Sequence, residues 1–170
     1  MLLALLAAIA GYTDIRWRRI PNWLTVPGMV LGIFLNAIGR GWPGAKGALL
    51  GAGLGLGLLL PFVLVRSLGA GDWKLVGALG AFLGPSQMLS VLFAALLIAG
   101  LMALVLVIWK KRLGQTLRNI GRMLGALFSF HLPGQEVSLD NPQSLKIPFG
   151  VAMAVAAVGF AVTQILRIPR

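Results

Sequence analysis

The 170-residue chain holds four acidic side chains, and two of them stand where a carboxylate is costly. Glu136 and Asp140 lie in a polar stretch where solvated charge needs no special account. Asp14 instead closes an apolar run at 1–13, and Asp72 opens another at 73–84. An ionisable group adjoining a membrane-length apolar segment marks a site of function or a pairing. Two aspartates held close together cannot both ionise cheaply, so they share one proton. The ionised member then takes a proton from water while the protonated one polarises a carbonyl, which is chemistry suited to peptide hydrolysis. A helix dipole favours negative charge at a helix start and disfavours it at a helix end, so Asp14 is the expected holder of the shared proton. The competing structural reading makes Asp72 an N-cap and Asp14 an ion-pair partner of Arg16 or Arg18.

Other chemistries find little support. The chain has no cysteine, which excludes disulfides, thiol catalysis and cysteine zinc sites. The single histidine, His131, has no neighbouring ligand types, so it is assigned neither a metal nor a base role. No metal and no cofactor is expected.

The elements that position the aspartates follow from composition. The chain is 58% hydrophobic and 11% charged, with a mean hydropathy of +0.91. That much apolar surface is not hidden by a water-soluble fold of this size. The solvent is therefore lipid, where backbone polar groups must be satisfied internally and only helices or closed barrels span. Long unalternated runs such as Leu89 to Ile108 favour helices over barrel strands. The expectation is an all-α membrane protein of one domain, 1–170. About six transmembrane helices are expected, near 1–13, 23–39, 47–65, 73–84, 87–109 and 147–166.

With the stretch Asp14 to Asn22 in the cytoplasm, alternation puts the Arg66 to Lys74 and Lys110 to Lys146 connections on the same side. That side then collects Arg16, Arg18, Arg19, Arg66, Lys74, Lys110, Lys111, Arg112, Arg118, Arg122 and Lys146, leaving only Arg40, Lys46, Arg167 and Arg170 of the 15 basic residues elsewhere. The net charge of +11 is thus read as a topological signal and not as nucleic-acid binding. Each aspartate stands roughly 18–20 Å of helix from the outer end of its segment, short of a hydrocarbon core of about 30 Å. Both carboxyl groups are expected at a similar depth, recessed from the cytoplasmic face. The motif Ala8-Ile9-Ala10 resembles a signal-peptide cleavage site, but no basic residue precedes it and the arginine cluster after it opposes translocation.

Gly47, Gly51 and Gly55 recur every four residues, with Gly53 and Gly57 on a neighbouring stripe, as expected of an internal helix-packing face. Segment 110–128 places Leu113, Leu117, Ile120, Leu124 and Leu127 at helical spacing with Arg118 and Arg122 among the polar positions. It is read as an interfacial amphipathic helix lying on the cytoplasmic surface, its basic groups meeting anionic lipid headgroups. Segment 131–146, with Pro133-Gly134 and Asn141-Pro142, reads as a loop.

The run Asp14-Ile15-Arg16-Trp17-Arg18-Arg19-Ile20-Pro21-Asn22 and the run Gly69-Ala70-Gly71-Asp72-Trp73-Lys74-Leu75 together resemble the type IV prepilin peptidase family. The later Lys146-Ile147-Pro148-Phe149-Gly150 before a final helix is similar to it as well. The resemblance implies an aspartyl peptidase of the GxGD class with catalytic Asp14 and Asp72. It implies a pilin-like precursor as substrate, its short leader cleaved at the cytoplasmic face of the inner membrane. Larger members carry an added cysteine-bearing region and methylate the new amino terminus. This chain looks like the compact form, and methyl transfer is not expected of it. Two alternatives stand beside this reading: a GxGD protease acting within other transmembrane segments, and a noncatalytic assembly component in which the aspartates merely pair.

Roles for the motif neighbours follow from residue chemistry. Gly69 and Gly71 allow the backbone to turn and to approach closely. Pro21 and Asn22 read as the start of the second helix, with Asn22 its N-cap. Lys74 reads as a basic topology anchor, and Trp17, Trp23, Trp42, Trp73 and Trp109 as interfacial anchors at segment ends.

Overall fold

The computed structural model describes residues 1–64, 67–111, 114, 116, 118, 121 and 148–166. The regular elements among them are helices: α1 (Leu2–Trp17), α2 (Asn22–Leu64), α3 (Ala70–Leu83), α4 (Pro85–Trp109) and α5 (Phe149–Leu166). Three of these, α2, α4 and α5, are long and apolar enough to cross a membrane. The 16 residues of α1 and 14 of α3 are shorter, about 24 and 21 Å at the rise of an α-helix. Large apolar side chains such as Phe34, Phe93, Leu97 and Leu101 point outward, an arrangement suited to lipid, which solvates them as well as a core does.

One residue makes α2 two helices. Gly41 adopts φ 61°, ψ −149°, a backbone region open essentially to glycine alone. The chain folds back there into arms 22–40 and 42–64, and at Gly44 an added Cβ would overlap the Asn36 carbonyl oxygen. Pro43 is accommodated because it falls in the first turn of the second arm, where an N–H has no helical partner to lose. The expected segments 23–39 and 47–65 correspond to these arms. The residues between them form no loop; only Gly41 leaves helical geometry.

Helix α3 packs against both arms. Gly51 and Gly80 meet so closely that a Cβ on either would overlap the other's carbonyl oxygen. One on Gly55 would lie 2.8 Å from Val76 Cγ1. Gly51 and Gly55 thus form the internal face expected of them, whereas Gly47, the third glycine expected on that face, has open space beside it, as do Gly53 and Gly57. On the other arm, Asn36 Nδ2 donates to the carbonyls of Gly32 (3.0 Å), Ala81 (3.0 Å) and Phe82 (3.3 Å). Ala81 and Phe82 lie in the last turn of α3, whose carbonyls have no helical donors left. Asn36 supplies that donor from across the interface. Leu75, Leu79, Met88, Val91 and Met153 fill the centre where α3, α4 and α5 meet.

Helix α5 packs on α1 and α4. Gly11 of α1 approaches Ala154 so nearly that an added Cβ would sit 2.7 Å from the alanine methyl. The segment expected at 73–84 starts earlier, at Ala70, which brings Asp72 inside the helix. Most of the interfacial helix expected at 110–128 lies outside the described residues, although Gly114, Thr116, Arg118 and Gly121 are helical. Segment 131–146 lies outside them as well.

The Gly51–Gly80 crossing sets a measurable asymmetry. Gly80→Ala is expected to cost about 1–3 kcal/mol by overpacking. Gly53→Ala, which meets nothing within 4 Å, is expected to be neutral or slightly stabilising through helix propensity. Thermal unfolding of the two variants in detergent checks this.

Candidate active site

Four helix ends gather at one end of the bundle: the C-terminus of α1 and the N-termini of α2, α3 and α5. The gathering starts with a sharp turn. Arg18 adopts the left-handed conformation (φ 50°, ψ 34°) and its N–H closes α1 on the Asp14 carbonyl at 2.9 Å. The chain then doubles back so that Ile20 lies on the start of α3. A Cβ at Gly71 would come within 3.1 Å of the Ile20 carbonyl oxygen and 3.2 Å of its nitrogen. Close backbone approach is thus what Gly71 provides.

The start of α2 differs from the expectation by one residue. The Pro21 carbonyl accepts the first helical N–H groups, from Leu24 at 3.1 Å and Thr25 at 3.4 Å, so Pro21 occupies the capping position. Asn22 is the first helical residue and its side chain is engaged elsewhere: its Oδ1 accepts a hydrogen bond from Lys74 Nζ at 2.9 Å. Lys74 therefore ties the first turn of α2 to the first turn of α3. Trp73 also departs from the anchoring role expected of it. It is half-buried, and its Nε1–H donates to the Leu56 carbonyl at 2.7 Å, joining α3 to the second arm of α2. Trp17, Trp23, Trp42 and Trp109 are exposed, as interfacial residues would be.

The two aspartates come together at this end. Asp14 is 7% exposed, and its Oδ2 accepts the Val151 N–H at 3.2 Å from the first turn of α5. The Arg18 charge also acts on it. Asp72 is the third residue of α3, and the capping position belongs to Gly69, so the N-cap reading of Asp72 does not hold. Its side chain folds back toward the helix start, and a Cβ on Gly69 would lie 3.0 Å from Asp72 Oδ2. Gly69 leaves that space free. Asp72 Oδ1 is buried without a hydrogen-bond partner. The carboxyl groups are near enough for Asp72 to feel the charge of Asp14, and the Gly150 amide interacts with both.

This arrangement has the elements of acid–base chemistry. Two carboxyl groups on different helices, Asp14 buried and Asp72 half-buried, lie at one end of the bundle, and one buried oxygen of Asp72 is left without a partner where such atoms are nearly always satisfied. Such an oxygen is the natural contact for a water or a peptide carbonyl. Among the described residues no three His, Cys, Asp or Glu side chains gather as metal ligands. Sequence reasoning did not assign Gly150, Val151 or Ile20 to this site. The available signal was Pro148-Phe149-Gly150, where a helix starts without a side chain at its second position.

The family model for the type IV leader peptidase family matches residues 1–104. The chain belongs to this family. The match covers both aspartates of this leader peptidase homologue and ends before α5. Family membership and the apolar helices together make the chain a membrane protein of an aspartic-type protease family. No curated protein and no solved structure matches the chain.

The two carboxyl groups are expected to differ in what their removal does to stability. Asp72→Asn removes the second ionisable group beside Asp14 and keeps a side-chain oxygen to accept from the Gly150 amide, so its Tm should equal or exceed that of the unsubstituted chain. Asp14→Asn weakens a charge-assisted bond from Val151 and should unfold at a lower temperature than Asp72→Asn. Thermal unfolding of both in one detergent measures the order.

Proposed function

We propose that the protein is a membrane aspartyl endopeptidase that removes the short leader of a pilin-like precursor at the cytoplasmic face of the inner membrane. The observation that carries this reading is the gathering of Asp14 and Asp72 where the end of α1 meets the starts of α3 and α5, with Ile20 packed against both Gly71 and Gly150, and with Asp72 Oδ1 buried and unpartnered. In this reading both arms of α2 cross the bilayer, as do α1 and α3, so six helices span. Arg16, Arg18, Arg19 and Lys74 gather at the end of the bundle that holds the aspartates, and the positive-inside rule assigns that end to the cytoplasm.

The N–H donated to Asp14 revises the assignment of the shared proton. Sequence position sets Asp14 against the unfavourable end of its own helix, but the start of α5 presents it with N–H groups, which suit an ionised oxygen. Asp72 is thus the better holder of the proton. Asp14 takes a proton from a water whose oxygen attacks the scissile carbonyl carbon, while Asp72 donates its proton to the carbonyl oxygen. The tetrahedral gem-diol collapses as the C–N bond breaks: Asp14 passes its proton to the leaving amine and Asp72 takes one back from a hydroxyl of the intermediate, so the pair again holds a single proton, on Asp72. Anionic headgroups beside the basic end concentrate a basic leader that the enzyme's own charge would repel.

The test is turnover on a peptide with a short basic leader ending in Gly before about 20 apolar residues, a length that spans a bilayer. Asp14→Asn and Asp72→Asn should each abolish cleavage while the protein stays folded. Replacing anionic by zwitterionic lipid in the vesicles should lower the turnover of the unsubstituted enzyme. Unsubstituted turnover per folded molecule in either Asn variant contradicts the two-aspartate mechanism, and lipid-independent kinetics contradict the headgroup role.

A further inference from the structure

The start of α5 stands apart from the acidic motifs and beyond the residues 1–104 that the family model matches, although 146–150 resembles the family, and it touches Asp14 directly. Val151 N–H reaches Asp14 Oδ2 at 3.2 Å while also lying 3.2 Å from the Pro148 carbonyl oxygen, so it is shared between its own helix and the carboxylate. Gly150 leaves the space that makes this possible. A Cβ built there would sit 2.7 Å from Asp14 Oδ2, 3.0 Å from Asp14 Cγ and 2.8 Å from Ile20 Cδ1.

We propose that Gly150 is a positioning residue of the two-aspartate site: its missing side chain lets the first turn of α5 lie against Asp14 and hold that carboxylate toward Asp72. The inference rests on the two-aspartate reading and deepens it.

What yields to an added methyl decides the consequence. Retreat of helix α5 from α1 is opposed by α4, on which α5 also packs, and would open the close Gly11–Ala154 contact one turn further along. The atoms in the way are the ends of two side chains, the Asp14 carboxyl group and the Ile20 δ-methyl. Both move by rotation about their own bonds at small cost to the fold. Rotation of Ile20 is harmless to chemistry, whereas rotation of Asp14 takes its oxygen away from the Val151 N–H and from Asp72. A displacement of about 1 Å at a catalytic group lowers rate about 10²-fold. Gly150→Ala is thus expected to spare folding and substrate binding and to damage the chemical step.

The experiment compares kcat, KM and Tm for the unsubstituted enzyme, Gly150→Ala, Gly150→Ala/Ile20→Val and Gly159→Ala, with the leader peptide as substrate. Gly159 lies on the same helix and has nothing within 4 Å of an added Cβ, so its variant controls for glycine loss alone. The expected result is a fall in kcat of about 10²-fold for Gly150→Ala, with KM and Tm little changed and Gly159→Ala unaffected. Ile20→Val removes the hydrocarbon overlap and leaves the overlap with Asp14, so the double variant should remain as slow as the single one.

Recovery of kcat in the double variant overturns the proposal, because the defect would then be one of packing against Ile20. Unchanged kcat in Gly150→Ala overturns it too. Loss of folded protein in both Gly150 variants likewise assigns the glycine to packing and overturns it. Failure of the underlying reading has a different signature: an Asn variant at position 14 or 72 that still cleaves the peptide.

Discussion

Two carboxyl groups brought together at one end of an apolar bundle repel one another and lose part of their solvation, and the whole arrangement depends on how that cost is met. The donors come from main chain. The first turn of α5 turns its amides toward the carboxyl groups, where a helix has N–H groups without partners of its own. One Asp72 oxygen stays unsatisfied.

Glycine makes the close quarters possible, each time for a different reason. Gly71 lets the Ile20 backbone lie on the start of α3, and Gly51 with Gly80 brings α3 against the second arm of α2 at backbone contact. Gly41 reverses the chain at a positive φ, so one polypeptide stretch flanks α3 with both of its arms. Polar side chains then fasten what the glycines brought together: Asn36 on the last carbonyls of α3, Trp73 on Leu56, and Lys74 on Asn22. In lipid these contacts take the place of a hydrophobic drive between helices, since lipid tails are as apolar as the side chains they would replace.

Much of this was legible in residue types. Carboxylates are so scarce here that Asp14 and Asp72 announced themselves, and the four-residue spacing of Gly51 and Gly55 marked the face that packs on α3. The α-helical character followed from uninterrupted apolar runs. Partners distant in sequence were beyond a one-dimensional reading. Nothing about Asn36 tells that its donor goes to residues 45 and 46 positions away, and Trp73 at a segment end reads as an interfacial anchor until Leu56 is seen beside it. The N-cap assignment of Asn22 and the competing N-cap reading of Asp72 failed for a local reason. Pro21 already occupied one capping position and Gly69 the other, leaving the Asn22 side chain to bond Lys74 and the Asp72 side chain to lie over the start of α3.

Asp14 and Asp72 lie 58 residues apart in sequence, and a shared catalytic site requires their side chains to meet in the membrane. The absence of cysteine from the chain allows a direct measurement. The pair Asp14→Cys/Asp72→Cys is treated in native membranes with a short bifunctional thiol reagent, and linked peptides are identified by mass spectrometry. Asn22→Cys/Lys74→Cys, at positions whose native side chains bond at 2.9 Å, serves as the positive control. The account predicts an intramolecular link between positions 14 and 72 in high yield. Efficient linking of the control pair, with positions 14 and 72 each modified singly and never joined, would contradict it.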